Sequence, residues 1–212
     1  MKHYGIISTV VLAVIVAALS TDLFSQKGPT LVSAFHESLK QEEAKEYAKS
    51  IQSLEAVFAA HKDDYLVNLR LGWLHYLARN LEQSKKFYNQ AFALSGNKSV
   101  EALLGLTLPL AAANDWDNVA ATYHAVLRLD PMNYTANLRL GQLMLNRGVY
   151  GEAKTYLEKA QTAYPGSYEP NLSLGWTYYY LGNKQKATSL LTTALMLSPG
   201  DTLAMKGLSL VK

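Results

Sequence analysis

The residues of this sequence that we considered for chemistry are the two carboxylates that flank Trp116, Asp115 and Asp117, and the five histidines: His3, His36, His61, His75 and His124. No two histidines stand four residues apart, the spacing that would place two imidazoles on one helix face for a zinc ion. The carboxylate pair lies in a predicted turn, where Asp is favoured because it caps helices. The sequence has no glycine-rich phosphate loop and no nucleophile elbow. We therefore expect no enzyme activity, no cofactor and no metal site, and we assign the histidines to the surface or to packing.

The composition narrows the classes of partner. The 212 residues include 20 Lys and Arg against 17 Asp and Glu, which leaves a net charge of +3, and there is no cysteine. A chain without cysteine cannot form disulfides, thiolate zinc sites or a thiol nucleophile. Because the charge is nearly balanced and no basic stripe occurs, we do not expect nucleic acid as a partner.

The N-terminal segment, residues 1–24, differs from the rest of the chain. Lys2 precedes an unbroken run of apolar and small residues at 5–19. The run is short for a membrane span of about 20 residues, but residues 4–24 would reach across. Ala18 and Ser20 also suit signal-peptide cleavage, so two interpretations remain: a cleaved signal peptide or an N-terminal membrane anchor. Either would place the following residues outside the inner compartment, in the periplasm or secreted or anchored at the cell membrane.

The elements that follow are predicted to be paired helices. Residues 168–201 contain two runs with apolar residues at spacings of three and four, separated by a turn at Gly182 and Asn183. The pattern from Tyr168 to Gly175 repeats that from Tyr134 to Gly141 at an offset of 34 residues (175 less 141). An internal repeat of this length predicts a solenoid of helix-turn-helix units.

The repeat divides the chain into a series of segments. The third unit departs from the 34-residue spacing, because Gly105 and Gly141 lie 36 residues apart, and Pro109 falls inside its first helix. We expect two inserted residues there, with a kink or an early helix end near Thr107. The segments are a linker at 25–30, repeats at 31–64, 65–97, 98–133, 134–167 and 168–201, and a capping helix at 202–212.

These units resemble tetratricopeptide repeats, which carry Leu-Gly, aromatic, Ala and Pro residues at set places over 34 residues. The match covers about residues 31–212, although Asn stands where the family favours Trp, and Ser84 and Gly96 replace an expected Ala and Pro. The resemblance implies an all-α, right-handed α-solenoid of about five repeats with a C-terminal capping helix, after an N-terminal hydrophobic helix. The asparagines are Asn68, Asn137 and Asn171, and the matching residues include Leu140, Gly141, Gly148, Ala153, Ala160, Pro165, Leu174, Gly175, Tyr178, Ala187, Ala194 and Pro199.

The resemblance also implies a binding surface. In similar repeats the residue after the Gly and the one three further on face a concave groove that holds peptides. The predicted binding residues are those at these positions together with their polar neighbours: Arg70, Trp73, Tyr76, Arg139, Gln142, Trp176 and Tyr179. The alternative is that the rings pack between repeats. The chaperone-tail clamp of the family is not expected, because its polar places hold Leu69, Trp73, Leu138 and Leu172.

The function expected from these features is that of a non-catalytic interaction scaffold outside the cytoplasm. Its partner would be a protein or a peptide, the N-terminal segment would bring it to the membrane, and assembly or organisation of an envelope complex would fit. Two alternatives remain: a self-assembling structural protein, and an accessory subunit of an enzyme complex. An RNA-binding helical repeat is disfavoured by the N-terminal segment and the near-neutral charge.

Residues 1–24 are expected to carry the repeats across the membrane. A reporter that is active only in the cytoplasm should therefore be inactive when fused after Lys212, and active when residues 1–24 are deleted from the same fusion. Activity of the full-length fusion would contradict this placement. The N-terminus of the mature protein then separates the two interpretations, because an intact start indicates an anchor and a start near Thr21 indicates a signal peptide.

Overall fold

The computed structural model describes residues 28–211, and every regular element in that range is an α-helix. The predicted N-terminal helix lies outside the described residues. Within them, no helix has both the length and the apolar character needed to cross a membrane. The predicted all-α solenoid is confirmed. The helices are α1 (Leu31–Glu43), α2 (Tyr47–His61), α3 (Tyr65–Leu77), α4 (Leu81–Leu94), α5 (Val100–Ala112), α6 (Trp116–Leu129), α7 (Tyr134–Asn146), α8 (Tyr150–Ala163), α9 (Tyr168–Tyr180), α10 (Lys184–Leu197) and α11 (Thr202–Leu210).

The chain divides into two compact units, with the boundary between Lys62 and Asp63. The described part of the first unit is the pair α1 and α2. Thr30 caps α1, because its hydroxyl accepts the Ser33 amide at 3.2 Å. Where the helices cross, the buried Ser50 hydroxyl donates to the Ser38 carbonyl at 2.6 Å. Two small polar residues therefore let these helices approach closely.

The second unit contains four helix pairs and the single helix α11. Each helix packs against the next one in the chain. Some first helices of successive pairs also pack together: α3 with α5, α7 with α9, and α9 with α11. The residues predicted to bind lie on these first helices.

The turn within each pair fixes the register of the repeats. Each of these turns has one residue with a positive φ, which is the fifteenth residue counted from the start of the first helix: Lys45, Arg79, Asn114, Gly148 and Gly182. Their numbers differ by 34, 35, 34 and 34. A single extra residue therefore lies in the 95–99 loop before α5, and the third repeat itself, which contains α5 and α6, has the regular length. The predicted insertion of two residues within the third repeat is wrong.

The insertion was predicted because Leu104-Gly105 resembles the Leu-Gly pair of the other repeats. Counted from the start of its helix, Thr107 holds the eighth position that Gly141 holds in α7, whereas Gly105 holds the sixth. Thr107 is buried, and its hydroxyl donates to the Leu104 carbonyl at 2.7 Å.

Pro109 does not end the helix, so the predicted early helix end near Thr107 is wrong. Helix α5 continues through Pro109 to Ala112. A proline removes one backbone donor, here the bond to the Gly105 carbonyl. The neighbouring Leu106 and Leu110 are buried in the core. Packing of an apolar face usually outweighs local helix propensity, and it accounts for the continuous helix here.

A close contact at the eighth position holds each pair together. Leu157, the eighth residue of α8, is fully buried against Gly141, the eighth residue of α7. A Cβ added to Gly141 would lie 2.6 Å from Leu157 Cγ and 3.2 Å from its backbone nitrogen. Gly175 and Leu191 repeat this contact between α9 and α10. The two backbones come this close only because the first helix lacks a side chain there.

Asparagine takes the place of the family's Trp at the joints between repeats. Asn137 is buried, and its amide donates to the carbonyls of Pro131 and Asn133 at 3.1 and 2.9 Å. Asn171 donates in the same way to Pro165 and Ser167, at 2.7 Å each. These bonds tie each first helix to the turn that precedes it, through hydrogen bonds that the ring of a Trp could not make to two carbonyls.

Gly141→Ala is expected to lower the free energy of unfolding by about 1–3 kcal/mol, because the added methyl group overlaps Leu157. Gly151→Ala is the matched control, since Gly151 also lies in a helix but has open space around its Cβ position. The control should be neutral or stabilising by up to about 1 kcal/mol. Urea unfolding of both variants tests the contact, and equal stabilities would contradict it.

Candidate functional site

The seven predicted binding residues lie on three first helices. Arg70 and Arg139 hold the sixth position, Trp73, Gln142 and Trp176 the ninth, and Tyr76 and Tyr179 the twelfth. Residues three apart share one helix face. We call the surface formed by these positions of α3, α5, α7 and α9 the first-helix face.

The third repeat separates the predicted residues into two groups. In α5 the sixth, ninth and twelfth positions hold Gly105, Leu108 and Ala111, so this helix adds neither an aromatic ring nor a polar side chain to the face. The rings of Trp73 and Tyr76 lie on one side, with centroids 5.7 Å apart. The other group lies on α7 and α9, which pack against each other.

Polar side chains join α7 to α9. Arg139 Nη1 donates to Gln142 Oε1 at 2.9 Å and to Glu169 Oε1 at 2.7 Å. Gln142 Nε2 lies 3.3 Å from Ser173 Oγ. The Arg139 and Glu169 side chains are each 45% exposed, so this ion pair contributes at most about 1 kcal/mol. An acidic ligand could therefore compete for Arg139 at small cost.

Aromatic rings cluster on α8 and α9. The centroids of Trp176 and Tyr179 lie 5.6 Å apart in an edge-on arrangement. Tyr180 stacks on Tyr150 with centroids 4.6 Å apart and rings only 8° from parallel. Trp176 is partly buried against the core, and a Cβ on Gly207 would lie 3.4 Å from its ring. Trp176 therefore packs in the core and also reaches the surface.

An open cleft of about 760 Å³ lies beside this cluster. Of the seven predicted residues, only Gln142 and Trp176 line it. The other ten lining residues lie outside the predicted set, and they include the cations Arg147 and Lys206, the rings of Tyr150 and Tyr180, and Leu203. Lys206 could have been found by extending the repeat register into α11, where it holds the fifth position. The repeat pattern contains no signal for the stacking of Tyr150 on Tyr180.

Helix α11 forms one wall of the cleft and is fixed by its cap. Asp201 accepts the Ala204 amide at 2.6 Å and the Tyr168 hydroxyl at 2.7 Å. The Ala204 amide and then the Tyr168 hydroxyl hold the pKa of Asp201 below its ordinary value. Burial, followed by the bond to Asp201, raises the pKa of Tyr168 to about 12. At neutral pH the carboxylate is therefore charged and the hydroxyl remains its donor.

The histidines of the described range lie apart from the cleft. His75 is buried and stacks on Phe87 with ring centroids 5.2 Å apart. His124 packs edge-on against Tyr156. Among the described residues, no group of three or more His, Asp or Glu side chains could hold a metal ion.

Family models for the tetratricopeptide repeat match residues 110–168 and 168–201. The chain contains tetratricopeptide (TPR) repeats. No curated protein matches it significantly.

Solved TPR structures share the fold. YrrB, described as a TPR protein with an unusual peptide-binding site, is 16% identical with a TM-score of 0.68, over 88% of this chain and 95% of its own. MamA from AMB-1 is 20% identical with a TM-score of 0.66, over 83% and 96%. A TPR protein from Parabacteroides merdae is 16% identical with a TM-score of 0.73, over 87% and 73%. At these identities the likeness shows the fold alone.

Truncating either tryptophan should lower the stability of the protein. Trp73→Ala and Trp176→Ala are each expected to lower the free energy of unfolding by about 2–3 kcal/mol, less than the ~3–5 kcal/mol of a fully buried ring. Tyr180→Ala, at a ring that is 50% exposed, should cost less than about 1 kcal/mol. Urea unfolding measures all three. Unchanged stability of both tryptophan variants would show that the rings do not belong to the core.

Proposed function

We propose that this TPR scaffold holds a protein or peptide segment on its first-helix face. TPR proteins are interaction scaffolds, and two observations support this surface. Partly buried aromatic rings reach the surface from α3 and α9, and Arg139 and Gln142 add polar groups on α7 beside α9. Tyr, Trp and Arg dominate binding hot spots, because they bury a large area at a small entropic cost.

The observation that carries the proposal is this combination of rings and polar side chains at the sixth, ninth and twelfth positions of α3, α7 and α9. The cleft beside Trp176 adds support, because it is lined by rings and by polar side chains and its volume lies within the range of about 300–1,000 Å³ usual for ligand sites. YrrB, whose fold the chain shares, is described as having a peptide-binding site. The likeness supports a peptide ligand for this chain as a proposal.

We further propose that the scaffold works outside the inner compartment and serves the assembly or organisation of an envelope complex. The support is the apolar run at residues 5–19 behind Lys2. A soluble enzyme complex that uses the chain as an accessory subunit would not require this segment.

Self-assembly is a second candidate, favoured by exposed apolar side chains at the end of the second unit. Met196 is 76% exposed, and Leu203, Met205 and Leu210 are about half exposed. A surface of this kind often marks a protein interface. Light scattering over a concentration series would show a mass that rises with concentration if copies of the chain associate here.

The first-helix face is tested by capture after cross-linking in membranes. The double variant Tyr76→Ala and Tyr179→Ala should lose the protein that the wild type repeatedly captures, by about tenfold or more in yield. Met132→Ala, at an exposed side chain in the turn between α6 and α7, is the control and should capture as the wild type does. Mass spectrometry identifies the captured protein, and melting curves show whether the double variant is folded. Full capture by the folded double variant would exclude this face.

A further inference from the structure

We infer that the cleft bounded by the turn between α7 and α8, by α9 and by α11 binds an extended acidic peptide that carries an apolar anchor side chain. This inference rests on the proposed function, and it adds the chemistry of the ligand. It also moves the main contact from the centre of the predicted surface to residues outside the predicted set.

The apolar part of the cleft suits an anchor side chain. Leu145, Leu172 and Trp176 line it, and all three are partly buried against the core. The stacked rings of Tyr150 and Tyr180 stand at its rim, and Tyr180 is 50% exposed. A rigid apolar site of this kind gains affinity by covering a Leu, Phe or Trp side chain of a ligand, because little entropy is lost on its own side.

The charges of the cleft have one sign. Its lining includes the cations Arg147 and Lys206 and contains no Asp or Glu among the described residues. Arg147 Nη2 pairs with Asp117 Oδ1 at 2.8 Å, but the Asp117 side chain is 93% exposed. An ion pair so open to water is weak, so Arg147 can exchange Asp117 for a carboxylate of the ligand. Complementary charge therefore favours an acidic segment over a basic one.

The polar groups suit an extended backbone. Gln142 and Asn146 stand four residues apart on α7, and Ser173 faces them from α9. Residues four apart on a helix lie on one face. Gln142 already bonds Arg139 and Ser173, so the exposed amide of Asn146 is the group that can donate to and accept from the backbone of a peptide. Arg147 lies in the turn between α7 and α8 and Lys206 lies on α11, so acidic side chains of the ligand can pair at either wall of the cleft.

A selection from a displayed library of random dodecapeptides on the full-length chain tests the inference. The enriched peptides should combine an apolar or aromatic residue with nearby Asp or Glu. Binding of a synthetic peptide from this set, measured by fluorescence anisotropy, should weaken at least about tenfold in Lys206→Glu and in Tyr180→Ala. Replacing Asp by Asn in the peptide, or raising the salt concentration, should weaken it as well.

The control for the charge change is Lys86→Glu. Lys86 is exposed on α4 and does not line the cleft, so this variant should bind as the wild type does. Since Tyr180 and Lys206 are both exposed, their variants should fold, and circular dichroism checks this.

The outcomes separate this inference from the proposed function. If the peptides bind Lys206→Glu and Tyr180→Ala normally but lose binding to Tyr76→Ala, the first-helix face binds peptides and the cleft does not. If the enriched peptides are basic or lack an apolar residue, the assigned ligand chemistry is wrong. If no peptide is enriched at all, both the inference and the peptide-binding function fail.

Discussion

The structure of the second unit depends on the approach of two helix backbones at one point in each pair. Gly141 and Leu157 meet there in the fourth repeat, and Gly175 and Leu191 meet in the fifth. Leu157 and Leu191 are fully buried, so a shift of either helix would open a cavity. The eighth residue of the first helix faces its partner, and the ninth residue, which follows it, points about 100° away toward the first-helix face. The contact that builds the pair thus also decides which side chains can bind.

Directional bonds complement this packing at the joints between repeats. Asn137 and Asn171 each bond two carbonyls of the preceding turn. Ser84, which replaces a family Ala, donates to the Gly72 carbonyl at 2.7 Å within its own pair. Each of these departures from the family pattern therefore introduces a polar group that finds a backbone partner. A buried hydrogen bond constrains angles more strictly than an apolar contact does.

The sequence was sufficient for the fold, since Gly141 and Gly175 recur at the repeat length within the same apolar pattern. The register of the third repeat was predicted wrongly, because Gly105 lies two positions before the place that the repeated glycine holds in the other repeats. The turn residue Asn114, which has a positive φ, marks the true register. The low helix propensity of proline led to the prediction that the helix ends early at Pro109. The packing that keeps α5 helical there cannot be seen in the sequence pattern. The same repeat placed the seven predicted residues on first helices, and their role in binding stays a prediction. The stacking of Tyr180 on Tyr150 could not be predicted, because it depends on how a turn of one repeat meets the helix of the next.

The loop at residues 95–99 has a consequence for the architecture as a whole. It absorbs one extra residue through two consecutive left-handed residues, Gly96 and Asn97, while the helices on both sides keep their lengths. Exposed loop tips of this kind tolerate inserted sequence. This loop is therefore a suitable place for an insertion between repeats: a label, a protease site or a whole additional repeat could be added here without altering the register of the helices that follow.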